Sequence, residues 1–281
     1  MKLSVIGLGL LGGSMALDLK KRKFADRVYG FDKDSVHLAY AEKVGLIDEA
    51  VDMEGAIKNG EIIIVAVPVN AAIKILPQIL DKISDNQIVI DVASTKASIC
   101  ERVKYHTNRK RYVACHPMAG TENSGPWSAI SGMFDGKALI MCDTEDSDEK
   151  AVQTIRSMFE TLNMNPMFFN SVNHDVHVAY VSHISHISSF ALALTVLEKE
   201  KNEKNIFNLA SGGFASTVRL AKSSAEMWVP IFDDNQRNIA TVLDTYIEKL
   251  QDFKKMLESD DIVGMTDYIN NANRVKKVLN K

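Results

Sequence analysis

The sequence predicts an α/β protein in which an open, doubly wound sheet is followed by an all-α C-terminal region. Three observations carry that expectation. From residue 1 to about 170, short β-branched runs alternate with helical patterns, the order of βαβ units and a mostly parallel sheet. A glycine-rich turn follows the first of these runs directly. After Asn170 the strand-like runs stop and long segments of helical period take over.

In order, the expected strands are Leu3–Ile6, Arg27–Phe31, Ile62–Val67, Ile88–Asp91, Tyr112–Cys115, Ala138–Met141 and Met167–Phe169. The run EIIIVAV is apolar on both alternations, which suits a central strand covered on both faces. The helical segments are expected at 171–200, 205–222, 226–257 and 260–280. The change of period divides the chain into domains 1–170 and 171–281. No Pro/Gly-rich linker separates them, so the two parts should pack tightly.

The bulk properties narrow the functional classes. With 281 residues, 46% hydrophobic and 25% charged, the chain has the composition of an ordinary globular protein. A formal charge of −3 gives no basic footprint for nucleic acid. The cysteines Cys100, Cys115 and Cys142 are odd in number and lack metal-ligand spacing, which favours a reducing compartment. Gly7, Gly9, Gly12 and Gly13 interrupt the apolar start, so it does not read as a signal peptide. No run approaches the roughly 18 apolar residues of a membrane span. A cytoplasmic, unanchored protein is expected.

Chemistry concentrates where the expected strands end. Gly7-Leu8-Gly9-Leu10-Leu11-Gly12 follows the strand KLSVI and opens an apolar helix. The first glycine permits a tight turn, the second lets a pyrophosphate approach the backbone, and the third lets helix and strand pack closely. Free N–H groups at the helix start, those of Leu10 and Leu11 among them, favour an anion. Asp32 lies 20 residues beyond Gly12, at the end of the second strand, where a carboxylate can bind both hydroxyls of an adenosine ribose and repel a 2′-phosphate. Strand, fingerprint, helix, strand and acid in register predict a Rossmann-type domain that binds NAD in preference to NADP. Val67 and Pro68 end the third strand, either as cofactor contacts or simply as its stop.

The fourth strand runs into Asp91-Val92-Ala93-Ser94-Thr95-Lys96, placing a hydroxyl and a cation at the same sheet edge. Ser94 is a helix N-cap, a substrate contact, or both. The fifth strand ends in Cys115-His116-Pro117, followed by Met118-Ala119-Gly120-Thr121-Glu122, and His116 is thereby placed for proton transfer beside a nicotinamide. In the helical half His183 and His186 are three apart and share a face, as do His177 and Tyr180. Without HExxH or an acidic third ligand at a recognised spacing, the paired histidines point to substrate or core rather than metal. Arg219 follows Ser211-Gly212-Gly213-Phe214 and has the fork geometry for a carboxylate, although on chemistry alone a surface salt bridge to an acid such as Glu226 is the stronger account of it.

Taken together, VIGLGLLGGSMA, DVASTK, CHPMAGTENSG, VSHISH and SGGFASTVRLAKSSAEMW resemble the prephenate and arogenate dehydrogenase family, in unbroken order from Met1 to about Asn238. The resemblance implies an NAD-dependent oxidative decarboxylation, a helical domain forming most of a homodimer interface, and substrate held between domains. By motif it implies that His116 draws the proton from the ring 4-hydroxyl with Ser94 assisting, that Arg219 binds a substrate carboxylate, and that His186, His183, Thr121 and Gly212 line the pocket. One departure stands out: relatives often carry His-x-Pro-His where this chain has His183-Ile184-Ser185-His186. Prephenate and arogenate remain alternative substrates on this reading.

Overall fold

A computed structural model describes residues 1–201 and 206–279. Within the first part lie eight strands in the order β3-β2-β1-β4-β5-β6-β7-β8, where β1 is Lys2–Ile6, β2 Arg27–Phe31, β3 Glu49–Ala50, β4 Ile62–Val65, β5 Ile88–Asp91, β6 Tyr112–Pro117, β7 Ala138–Cys142 and β8 Asn165–Phe169. All neighbours are parallel except β6 and β7, which run antiparallel with His116 opposite Ile140. The helices before residue 170 are α1 (Leu10–Lys21), α2 (Ser35–Lys43), α3 (Met53–Asn59), α4 (Val69–Leu80), α5 (Ala97–Val103) and α6 (Glu149–Thr161).

Alternation along the central strands feeds two cores. Val5, Ile64, Ile90, Val113 and Met141 pack with Met15, Leu19, Ile155 and Phe159 from α1 and α6. Their neighbours Ile63, Val65, Val89, Ala114 and Cys142 pack with Ile57, Leu76, Ile79 and Val103 from α3, α4 and α5. This two-faced burial is why β4 and β5 are apolar at every position but the terminal Asp91. The edge is different: β8 is largely exposed and carries Pro166, which a terminal strand tolerates.

The strand order reverses at β1/β4, which creates the crevice where doubly wound sheets take ligands. The strand expected to reach Val67 ends at Val65, and Pro68 caps α4 instead. β3 was not expected, because two residues are too few to show a period of two.

The helical half differs more. Residues 171–200 form one helical run made of α7 (Ser171–Val178), a π-helical turn (Ala179–His183) and α8 (Ile184–Glu200). The segment expected at 205–222 begins outside the described residues and is no single helix: it contains α9 (Gly212–Thr217) and a 3₁₀ turn (Arg219–Lys222). The helix expected at 226–257 is broken at Asn235 into α10 (Ala225–Asp234) and α11 (Gln236–Glu258), because the buried Asn235 side chain is tied to α7. α12 (Ile262–Ala272) and α13 (Lys276–Leu279) follow, and the segment expected to reach 280 ends outside the described residues.

By compactness the chain divides into Met1–Gln236 and Arg237–Lys281. In the second unit Phe253 packs on Tyr268 at 5.4 Å, and Asp261 caps α12 through the Gly264 N–H at 2.8 Å. Contrary to the expectation from uninterrupted runs, Ser171–Glu200 is long and apolar enough to cross a membrane, with a mean hydropathy of 1.3 in its most apolar window. Serine and histidine interrupt the run without lowering its mean enough. Leu192, Leu194 and Leu197 on α8 are exposed in the single chain.

Candidate active site

At the reversal point the three fingerprint glycines meet three different demands. Gly7 has φ +96°, and a Cβ there would lie 2.4 Å from the Ala66 carbonyl oxygen. A Cβ on Gly12 would lie 2.0 Å from the Gly7 oxygen, so helix and turn touch through backbone. Around Gly9 there is open space, and as N-cap of α1 it supplies no side-chain partner to the free N–H groups of Leu10 and Leu11. These features fit a pyrophosphate. Asp32, just after β2, accepts hydrogen bonds from Leu8 N (2.7 Å), which ties the glycine turn to it, and from Asp34 N (2.9 Å). A carboxylate has about four acceptor positions, so two remain for ribose hydroxyls. Val67 is half-buried and Pro68 exposed beside this turn.

His116 lies one residue before the end of β6 and is buried. Its Nδ1 is 2.8 Å from Nε2 of His174 on α7, and His174 Nδ1 is 2.8 Å from Asp175 Oδ1. Asp175 in turn accepts from the backbone N–H groups of Lys96 (2.8 Å) and Ala97 (2.9 Å) at the start of α5. This carboxylate, not Ser94, serves the first turn of α5; Ser94 sits half-buried in the preceding bend.

The chain of bonds fixes proton positions. A carboxylate only accepts, so His174 carries its proton on Nδ1 and offers a lone pair at Nε2. His116 therefore donates from Nδ1, and its lone pair lies at Nε2, which has no hydrogen-bond partner among the described residues. Burial, reinforced by His174, Lys96 and His183, pushes the His116 imidazolium well below the usual histidine range. At neutral pH it is a neutral base with its acceptor nitrogen free.

Neighbouring groups hold this relay in place. Lys96 is fully buried and ion-paired with Asp91, which also accepts from the Tyr112 hydroxyl at 2.5 Å. Asn235 donates to the Asp175 carbonyl at 2.7 Å and lies 3.2 Å from His183 Nδ1. The π turn explains that reach: one inserted residue rotates the downstream helix back by about 100°. Asp175 and His183, eight positions apart, then fall within about 20° of one face rather than about 80°.

A second group lies on the helical side. His186 stacks on Trp228 with ring centroids 3.5 Å apart, and His183 meets the same indole edge-on at 5.9 Å. Arg219, half-exposed at the start of its 3₁₀ turn, donates to Glu122 at 2.9 Å and not to Glu226. Burial lowers the pKa of His186 against the opposing hydrogen bond to the Ser182 carbonyl at 3.1 Å, and the positive charge of Arg219 lowers it further. Thr121, in the loop after β6, accepts from Asn123 N at 3.2 Å, and Gly212 opens α9 with open space around it.

His183 carries a consequence for stability. Burial lowers its pKa from 6.5 to about 4. The unfolded chain therefore binds the proton first as pH falls, and the folded state loses stability below about pH 6.5, by about 3 kcal/mol on reaching about pH 4. His116 acts in the same direction. Denaturant melts across this range should show that loss, and His183→Gln should reduce it; a stability independent of pH there would contradict it.

Sequence reasoning did not assign His174, Asp175, Asn235 or the Lys96–Asp91 pair. The adjacent His-Asp at the start of α7 was the available signal, but its partner is 58 residues away in sequence.

Known proteins share this organisation. A family model described as prephenate dehydrogenase, nucleotide-binding domain, matches residues 15–166, and one described as prephenate dehydrogenase, dimerization domain, matches 170–271. The chain belongs to the prephenate dehydrogenase family. Similar proteins include prephenate dehydrogenase of Bacillus subtilis, 28% identical over 95% of this chain and 72% of the relative. Among solved structures, prephenate dehydrogenase from Aquifex aeolicus in complex with hydroxyphenyl propionate and NAD+ has a TM-score of 0.88 at 25% identity, over 100% of this chain and 98% of that one. Synechocystis arogenate dehydrogenase has a TM-score of 0.78 at 26% identity, over 99% of each chain. The two models of the prephenate dehydrogenase family meet between residues 166 and 170, where the strands give way to helices.

Proposed function

We propose that the protein oxidises and decarboxylates prephenate to 4-hydroxyphenylpyruvate with NAD. The observation that carries this reading is the bonded series Asp175, His174, His116, which leaves one neutral imidazole nitrogen unpartnered. The glycine turn Gly7 to Gly12 and Asp32 would hold the dinucleotide, which when bound accepts the hydride from the ring carbon bearing the hydroxyl.

In this reading His116 Nε2 accepts the 4-hydroxyl proton. The positive charge that develops on its ring is offset through His174 by the Asp175 carboxylate. The chain need not supply a separate decarboxylation catalyst, because the oxidised ring is an electron sink and loss of the carboxylate as carbon dioxide makes it aromatic. Ser94 assists at the hydroxyl oxygen. Arg219 binds a substrate carboxylate, with His186, His183, Thr121 and Gly212 completing the pocket. Its present partner Glu122 is an exposed contact, which a ligand carboxylate can replace or share.

Residues 1–170 act as the NAD domain and 171–281 as the substrate and dimerisation domain of a cytoplasmic homodimer. The exposed apolar residues of α8 and the family's dimerization domain support pairing. Arg219→Ala should raise KM for prephenate more than it lowers kcat, as loss of uniform binding does. A change in kcat alone would remove Arg219 from that role.

The decisive assay offers prephenate and arogenate in turn, each with NAD and NADP, and follows reduced nicotinamide. Turnover of prephenate with NAD supports the proposal. The structural likeness to an arogenate dehydrogenase makes arogenate the second candidate, and selective turnover of arogenate would transfer the function to it. No turnover of either would sink both.

A further inference from the structure

Between β6 and β7 the chain makes a long excursion that returns to the face of α1. Ile130 N donates to Ser14 Oγ at 3.0 Å, Ser131 Oγ to Asp18 Oδ1 at 2.6 Å, and Gly132 N to Asp18 Oδ2 at 2.9 Å. Asp18 is fully buried on α1, the helix whose first turn lies beside Gly9. The excursion is therefore fastened to the same helix that would receive the pyrophosphate.

Its tip presents Trp127. Gly125, at φ +83°, lies so close beneath the indole that a Cβ would sit 2.6 Å from Trp127 Cε2 and Cζ2. Only glycine lets the ring lie down on that backbone. Two aromatic contacts fix it from α2: His37 edge-on at 5.1 Å and Tyr40 edge-on at 6.1 Å. Yet Trp127 remains 58% exposed. His37 is also the link to the cofactor side, since its Nδ1 is 3.9 Å from Asp32 Oδ1.

We infer that Trp127, linked to Asp32 through His37, is a nucleotide-binding residue that walls the adenosine ribose held at Asp32. The inference rests on the proposed NAD function and adds a residue from outside the fingerprint to it. A rigid, partly exposed indole joined through His37 to a ribose-binding carboxylate offers a ligand apolar contact without the entropy cost of ordering a mobile side chain. The same excursion carries Thr121 and Glu122, so the wall of the nucleotide site and the partner of Arg219 belong to one segment.

The test compares NAD with nicotinamide mononucleotide, which lacks the adenosine half. Dissociation constants for both are measured by calorimetry on wild type, Trp127→Ala and Trp127→Phe, with melting temperatures checked for each. Trp127→Ala should weaken NAD about threefold to tenfold and leave the mononucleotide unchanged, with Trp127→Phe in between. Equal NAD affinity in wild type and Trp127→Ala overturns the inference, and so does an equal loss for both ligands, which would indicate a general disturbance of the site. Failure of the wild type to bind NAD would instead overturn the cofactor reading on which it rests.

Discussion

Replacing His116 with asparagine should lower turnover by about 100-fold to 10,000-fold, the usual contribution of a positioned general base. NAD affinity should stay the same, because the glycine turn between β1 and α1 and Asp32 just after β2 make no hydrogen bond to His116. Asparagine keeps a hydrogen-bonding side chain but has no nitrogen that takes up a proton near neutral pH. In the unaltered protein the His116 pKa is depressed. As pH falls, kcat/KM should therefore hold through neutrality and drop only when His116 protonates, well below the ordinary histidine value; in the asparagine variant that acid limb should be gone. Steady-state rates against pH, with NAD titration of both proteins, check both halves. Unchanged turnover would remove His116 from the chemistry, and lost NAD binding would mean that the substitution had disturbed more than the base.

Asp175→Asn should be the most damaging change that touches neither substrate nor cofactor. The carboxylate accepts from His174, Lys96 and Ala97. An amide can accept at only one of its two atoms and carries no charge to offset a cation forming on His116. Loss of this carboxylate should cost about 10-fold to 100-fold, the range seen for carboxylate partners that orient metal-bound histidines. With the negative charge gone, protonated His116 is less favoured. The acid limb of kcat/KM should move to lower pH while kcat falls. A purely structural role would lower the melting temperature and leave both the limb and kcat in place, so the pH profile separates the two.

Much of the nucleotide half was legible in the sequence, and the reason is local. β1, the glycine turn, α1 and β2 are contiguous, and each glycine's demand arises from neighbours within the same βα unit or from Ala66 and Val67 just past the adjoining strand. Short apolar runs between helical patterns likewise located Ile88–Asp91 and Arg27–Phe31 to the residue. His116 could be singled out because it sits at a strand end next to a proline and a glycine. Helical period predicted the run 171–200, but not the π turn inside it, since a one-residue insertion leaves no mark on composition.

By itself the sequence determined the doubly wound sheet, the cofactor turn and the identity of the candidate base, all of which follow from short-range pattern and strand-end position. Only the tertiary structure decided which groups orient that base. His174 and Asp175 come to His116 because α7 packs against the start of α5 and the end of β6, and the bond between residues 58 apart depends on that packing. Tertiary packing likewise turned Arg219 toward Glu122, broke a helix at Asn235 so that it reaches Asp175 and His183, and set Trp127 against His37, which faces Asp32. Each partner lies across a chain separation that hydrophobic period does not encode: the Asn235 contacts are buried between packed elements, whereas those of Arg219 and Trp127 are made at the surface.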